Sequence, residues 1–371
     1  MSALARVLEK HRIVVTAGSG GVGKTTTAAA IGLFGAQQGR RAVVLTIDPA
    51  RRLADALGVG ELRGGEESVV QGNFRGHLTV MMLDQKSAWD ALVTRHARTA
   101  EVRDRVLNNR FYQHLSQTFA GSQEYMAIEQ LSELQNSGRF DLIVIDTPPT
   151  RHALDFLEAP RRLADFLDRQ IVKWFVKPYF SAGWATMQVM NRTARFLMRH
   201  LEEATGVSVL MEVSDFFTGM SSLFDGFQER VQRVYELLQA DSTAFVLVAS
   251  PEEQVLSEAE YFCRKMAELQ MPLRAVVFNR AHFEYEGPTP PPSERSALLG
   301  DGAAARRLLE NFERYEVLAR GDAVRIESFR EQLPRRMATA EVPNFDSDLH
   351  DISGLERMHP YLFGSPQERR S

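Results

Sequence analysis

The sequence predicts an α/β fold: a doubly wound, mostly parallel sheet with helices on both faces. Three observations predict it. Short β-branched runs alternate with longer helical patterns, and Ile13–Thr16, Ala42–Ile47, Leu78–Leu83, Leu142–Ile145, Ala244–Val248 and Ala275–Phe278 read as strands. Several of these runs are apolar on successive residues, as in strands buried on both faces. The third is a glycine-rich loop, Gly18-Ser19-Gly20-Gly21-Val22-Gly23-Lys24-Thr25-Thr26, between the first strand and the helical run Thr27-Ala28-Ala29-Ala30-Ile31. Strand–helix alternation builds parallel sheets, whose ligands bind beyond the carboxyl ends of the strands. Gly18, Asp48, Asp146, Ser250 and Asn279 each follow a predicted strand, so one shared edge gathers them.

The loop has the G-x-x-x-x-G-K-[ST] form of a phosphate loop in the strand–loop–helix context that the motif requires. Gly20, Gly21, Val22 and Gly23 let the backbone wrap phosphate oxygens with its N–H groups, and the helix N-terminus adds partial positive charge. Lys24 is the expected partner of the β- and γ-phosphates, Thr25 the expected Mg²⁺ ligand, and Thr26 a further nucleotide contact. Gly18, Gly20 and Gly23 also spell the dinucleotide motif G-x-G-x-x-G, with Asp48 available as a ribose ligand. A dinucleotide site has no need for a lysine and a hydroxyl directly after the third glycine, so Lys24-Thr25 favours a nucleoside triphosphate, ATP, with Mg²⁺. The expected fold is thus a P-loop NTPase.

Composition narrows the class. The 371 residues are 44% hydrophobic and 25% charged, ordinary for a globular protein, and the net charge of −4 carries no signal for specific nucleic-acid binding. Cys263 is the only cysteine, which excludes an intrachain disulfide and a cysteine zinc site and leads us to expect a reducing, cytoplasmic setting. The N-terminus reaches Arg6 and Lys10 without an apolar core, and no apolar run approaches the ~18 residues of a membrane span.

We expect a single P-loop domain over residues 1–371 with a helical insertion in two parts, about 86–135 and 154–240, and a disordered tail at 365–371. In the second part Leu210, Val213, Phe217, Met220, Phe224, Phe227, Val231, Val234 and Leu238 recur at steps of three or four, an amphipathic helical pattern. Trp174, Phe175, Tyr179, Phe180, Trp184, Met187 and Met190 form a Met- and aromatic-rich stretch that suits either a groove for a hydrophobic helix or the core of the insertion. Residues 151–199 hold nine basic against four acidic side chains, a face for an anionic membrane surface, an acidic partner or solvent. Gly287-Pro288 through Ser293 reads as a stiff surface loop.

Phe140-Asp141-Leu142-Ile143-Val144-Ile145-Asp146 has the form of a Walker B strand, with Asp146 at its end to hold the Mg²⁺ hydration shell. Asp48 is the candidate that activates the attacking water, and Lys24, Asp48 and Asp146 together make the expected catalytic set. Ser250-Pro251-Glu252-Glu253 reads as a helix start, with Ser250 at the N-cap, Pro251 at N1 and Glu253 closing a capping box. Asn279 offers an amide donor and acceptor to a base edge.

These motifs, in this order, resemble the ArsA/guided-entry family of ATPases, in its bacterial single-domain subgroup. The matching runs are Gly20 to Thr26, Asp48-Pro49-Ala50 with Leu53-Ala54-Asp55, Asp146-Thr147-Pro148-Pro149-Thr150-Arg151-His152-Ala153-Leu154, Ser250-Pro251-Glu252 and Asn279-Arg280. The resemblance implies an ATP-hydrolysing dimeric switch, a homodimer or a heterodimer with a related ATPase subunit. Nucleotide-driven closure would handle a hydrophobic helix client or energise a membrane partner, with transient membrane association. It also implies Asn279 and Pro343 at the adenine. The chain departs from the family pattern at Ser19, where a lysine that reaches the partner's phosphates is usual, and it lacks the paired zinc cysteines and the thiols that arsenite needs. Arg51, Arg52 and Arg151 are the cations near the switch runs able to take that lysine's place. A Par/Min-like positioning ATPase and a weakly hydrolysing regulatory subunit are the other readings. Against the first, Ile352–Ser371 carries Pro360 and Pro366 and no sustained basic amphipathic pattern.

Overall fold

The computed structural model describes residues 2–48, 52–60, 62–118, 122–148, 216, 227–285, 287 and 302–364. The Met- and aromatic-rich stretch, the arginines 51 and 151, the remainder of the Asp146–Leu154 run and the 365–371 tail lie outside the described residues.

Eight strands form one sheet: β1 (Ile13–Gly18), β2 (Arg41–Thr46), β3 (Glu67–Val69), β4 (His77–Met82), β5 (Leu142–Asp146), β6 (Thr243–Ala249), β7 (Leu273–Ala281) and β8 (Ala338–Pro343). Their order is β3-β4-β2-β5-β1-β6-β7-β8. Pairing is parallel throughout except at the edge, where β3 runs antiparallel to β4. All six predicted strands occur, with ends within three residues of those expected. β3 and β8 were missed. β3 (Glu-Ser-Val) is three residues long with a single apolar residue, and β8 (Ala-Thr-Ala-Glu-Val-Pro) alternates with polar residues and ends in proline, so neither makes an apolar run.

Helices α1 (Ala3–Lys10) and α2 (Lys24–Gln37) flank β1, and α3 (Arg52–Leu57) follows β2. Between β4 and β5 lie α4 (Gln85–His96), α5 (Ala100–Leu107), α6 (Arg110–Thr118) and α7 (Ser122–Asn136), with no strand among the described residues there. The described part of the second helical segment is α8 (Phe227–Gln239), which carries Val231, Val234 and Leu238 into the core. α9 (Glu253–Glu268), α10 (Ala303–Gln332) and α11 (Ile352–Leu362) complete the set among the described residues.

Side-chain alternation along each central strand builds two cores. Val15, Leu45, Ile145, Leu247 and Phe278 face α4, α7, α8, α9 and α10, whereas Val14, Val44, Val144, Val248 and Val277 face α1, α2 and α11. α2 is buried nearly all round because it is built of Ala, Gly and Thr. A Cβ on Gly32 would stand 2.3 Å from Val44 Cγ2, and one on Gly35 2.4 Å from Leu142 Cδ2. Only glycine lets α2 lie this close to β2 and β5. One reading needs correction. The helix after β6 starts at Glu253 with Glu252 at the N-cap and no side-chain cap, rather than at Ser250. Ser250 Oγ instead donates to Glu252 Oε1 at 3.4 Å, because the chain from Ser250 to Pro251 is buried against the sheet edge.

Candidate functional site

β1 ends at Gly18 and α2 begins at Lys24, with Gly20 and Gly21 exposed in the turn between them and Val22 tucked into the core. Gly21 and Gly23 take φ of 79° and 89°, which glycine adopts without strain. Gly23 is also the N-cap of α2 and provides no side-chain cap. The first-turn N–H groups, at Lys24, Thr25 and Thr26, therefore carry no side-chain acceptor and offer the positive end of the helix to an anion.

Behind the loop, Asn279 Nδ2 donates to the Val22 carbonyl at 2.8 Å. A Cβ on Gly23 would meet that Nδ2 at 2.3 Å, so the amide packs directly against the loop backbone. A bulge in β7 between Phe278 and Ala281, with Arg280 at φ 60°, sets this orientation. Asn279 is thus first a brace for the loop. Pro343 ends β8 opposite Ala281, three strands from β1 and outside this hydrogen-bonded group.

The front of the loop meets β5. Thr25 Oγ1 donates to Asp146 Oδ2 at 2.7 Å, and Thr46 Oγ1, from the last residue of β2, donates to the same oxygen at 3.0 Å. Asp146 is fully buried, and its Oδ1 has no hydrogen-bond partner. Burial pushes its pKa up to about 6, against the pull of Thr25, Thr46 and Lys24. A buried, unpartnered carboxylate oxygen beside a threonine hydroxyl fits Mg²⁺, which takes one or two protein oxygens and keeps waters and phosphate oxygens for the rest. Among the described residues no group of three or more His, Cys, Asp or Glu side chains is placed to hold a metal ion.

Lys24 is 8% exposed and its Nζ donates to the Ser19 carbonyl at 2.8 Å. Burial lowers its pKa, Asp146 opposes that, and the Arg52 charge lowers it further. Ser19 Oγ donates to Glu258 Oε2 on α9 at 2.6 Å. The Asp48 N–H donates to Thr46 Oγ1 at 3.2 Å, and Asp48 Oδ2 lies 3.4 Å from the Arg52 guanidinium. Gln123, in the first turn of α7, donates to the Ile47 carbonyl at 2.5 Å.

The structure therefore brings Gly20 to Thr26, Asp48, Asp146 and Asn279 to one edge and leaves Ser250 and Pro343 beside it. Sequence reasoning missed Thr46, Gln123 and Glu258. Thr46 has a local signal, a hydroxyl closing an apolar strand two residues before Asp48, while Gln123 and Glu258 have none. A separate, partly buried network lies at the ends of β6 and β7. There His282 N and Nδ1 both contact Asp322 Oδ2, Arg325 pairs with Asp322 Oδ1 at 2.7 Å, and Arg325 Nε donates to the Pro251 carbonyl at 2.6 Å.

The chain is similar to known proteins. The profile of the ArsA-type anion-transporting ATPases matches residues 11–289. Aquifex aeolicus (strain VF5) has two relatives named "Putative arsenical pump-driving ATPase". The first is 25% identical over 67% of this chain and 58% of its own length, so the match spans less than two thirds of that relative. The second is 26% identical over 72% of this chain and 80% of its own length. A protein of Aspergillus terreus (strain NIH 2624 / FGSC A1156) named "ATPase get3" is 26% identical over 74% of this chain and 75% of its own length. With the phosphate loop, the Thr25–Asp146 pair and a profile match over most of its length, this chain belongs to the ArsA-type anion-transporting ATPase family and is an ATPase.

Proposed function

We propose that this ATPase is a Mg²⁺-dependent, nucleotide-gated switch that works as a dimer, using the closure driven by ATP to handle a hydrophobic client or energise a membrane partner. The observation that carries the ATP-hydrolysing part is the fully buried Asp146 carboxylate, one oxygen held by Thr25 and Thr46 and the other left open beside the phosphate loop. When bound there, Mg²⁺ supplies charge neutralisation on the phosphate oxygens. Lys24 exchanges its bond to the Ser19 carbonyl for the β- and γ-phosphates, and the first-turn N–H groups of α2 hold the phosphate oxygens. Asp48 accepts a proton from water as the water oxygen bonds to the γ-phosphorus. The bond from that phosphorus to the β,γ-bridging oxygen breaks, and ADP and inorganic phosphate leave.

The dimer and its client rest on the family resemblance and on the name of the get3 relative. The helices between β4 and β5, together with α8, are the proposed client-handling part. No helix among the described residues is long and apolar enough to cross a membrane. One observation favours a weakly hydrolysing subunit that needs a partner ATPase: position 19 holds a serine whose hydroxyl is engaged in cis by Glu258.

Equilibrium binding of Mg·ATP followed by steady-state turnover tests the reading. Lys24→Ala abolishes tight nucleotide binding, and Asp48→Asn retains binding while slowing hydrolysis ~10²–10⁴-fold. Unchanged turnover in both variants removes this site from the reaction.

A further inference from the structure

The phosphate loop of this chain lacks a cation at position 19, yet phosphoryl transfer places negative charge on the γ-phosphate oxygens that a second cation stabilises. Lys24 is buried and serves the loop itself. The described basic side chain on the other side of the site is Arg52, the first residue of α3. It follows β2, and β2 is separated from the phosphate-loop strand β1 only by β5, the strand that carries Asp146. The Arg52 side chain is 65% exposed, with NH1 3.4 Å from Asp48 Oδ2, whereas Asp48 is 23% exposed. Its positive charge also lowers the Lys24 pKa, behind the larger effect of burial, so the two cations lie near enough to interact.

This pairing has two chemical consequences. A carboxylate oxygen turned towards a guanidinium is not turned towards a water, so the pair keeps Asp48 out of position as a base. A guanidinium that faces a lone carboxylate in partial solvent is weakly held. A triphosphate carries more negative charge than one carboxylate, and arginine matches phosphate oxygens with two parallel donors. We propose that Arg52 is a catalytic residue held in reserve: paired with Asp48 before the triphosphate arrives, it transfers to the γ-phosphate of bound ATP and frees Asp48 to take the proton of the attacking water. This inference rests on the reading of the site as the place of ATP hydrolysis. One side chain then supplies the charge missing at position 19 and makes the base conditional on the correct substrate. ADP lacks the γ-phosphate and leaves the pair closed.

The test is calorimetric binding to the full chain with Mg²⁺, using a non-hydrolysable ATP analogue and, separately, ADP. Arg52→Gln weakens the analogue ~10–100-fold and leaves ADP within about 2-fold, with Arg52→Lys between the two. Asp48→Asn releases the arginine beforehand and tightens the analogue ~2–5-fold, a gain that disappears in the Arg52→Gln/Asp48→Asn double variant. In turnover, Arg52→Gln lowers kcat about 10²-fold or more. Retained ADP affinity reports that the variant is folded. Equal loss of both ligands, or no loss of either, overturns the proposal. Wild-type protein that binds neither nucleotide overturns the ATP-site reading and this inference with it, whereas normal wild-type binding without the ATP-over-ADP effect overturns this inference alone.

Discussion

Ser19 shows how much one side chain decides. A serine at that position removes a charge, but its hydroxyl gains a carboxylate partner, Glu258, at 2.6 Å and its carbonyl receives Lys24. A lysine placed there meets Glu258 before it meets anything in a second subunit, and an ion pair in cis cancels the charge offered in trans. We therefore expect Ser19→Lys alone to change turnover by less than about 3-fold. Ser19→Lys with Glu258→Gln should raise it ~10-fold or more, since a cation supplied in trans is worth ~10³–10⁵ when fully placed. Turnover per subunit across a concentration series checks this, and an equal gain in the single and double variants shows that Glu258 does not sequester the lysine. Glu258 could not be found from sequence, because it stands 239 positions from Ser19 and occupies a part-exposed face of an ordinary amphipathic helix.

At the level of elements, a chain of hydrogen bonds ties the Thr25–Asp146 pair to the helical layer. Thr25 and Thr46 share Asp146 Oδ2, the Asp48 N–H reaches Thr46 Oγ1, and Gln123 at the start of α7 holds the Ile47 carbonyl one peptide before Asp48. Any movement of Asp48 on nucleotide binding shifts that peptide and pulls on α7. Gln123→Ala removes the link and costs about 1 kcal/mol of positioning, or ~5-fold in kcat. Hydrogen exchange of the first turn of α7 gives the direct reading. Mg·ATP protects it in the wild type and leaves it unprotected in the variant, and equal protection in both excludes the link. The helices themselves were legible, since 86–135 carries helical patterns and no strand run. Their attachment to β2 was not, because a glutamine in a first turn is unremarkable until its carbonyl partner is known.

Across the whole molecule, the termini of the described fold close one face of the sheet. Ser2 Oγ donates to the Leu362 carbonyl at 2.7 Å, and α11 packs on α2, the helix that opens at the phosphate loop. His359 stands in that contact. Its Nε2 lies 3.2 Å from the Ala30 carbonyl, and its ring meets the Phe34 and Phe363 rings edge-on. Burial lowers its pKa to about 4, with the Ala30 contact opposing. The folded state therefore prefers neutral histidine. The stability this contributes is fully present above the unfolded value near 6.5 and is lost as pH falls through 6.5 towards 4. Partial exposure limits the loss to about 2 kcal/mol. Thermal unfolding between pH 6.5 and 5 should show a declining Tm in the wild type and a shallower decline in His359→Gln. Parallel slopes would remove His359 from the pH dependence.

The sequence by itself determined the sheet's central strands, the phosphate loop and the helix after it. These depend on local physics: apolar runs pair wherever they are buried, and glycines at positive φ before a lysine and a threonine leave the backbone little else to do. It also determined that Asp48 and Asp146 close strands, and hence which edge they share. Only the tertiary structure decided what each polar group touches. Asn279 braces Val22 from behind, Thr46 joins Thr25 on Asp146, Glu258 occupies Ser19, and Arg52 faces Asp48. Most of these contacts join residues about 100 or more positions apart, and hydrogen bonds act over about 3 Å, so their partners are set by how strands and helices stack. Arg52 and Asp48 are only four residues apart, yet that their charged groups meet is likewise seen only in the structure.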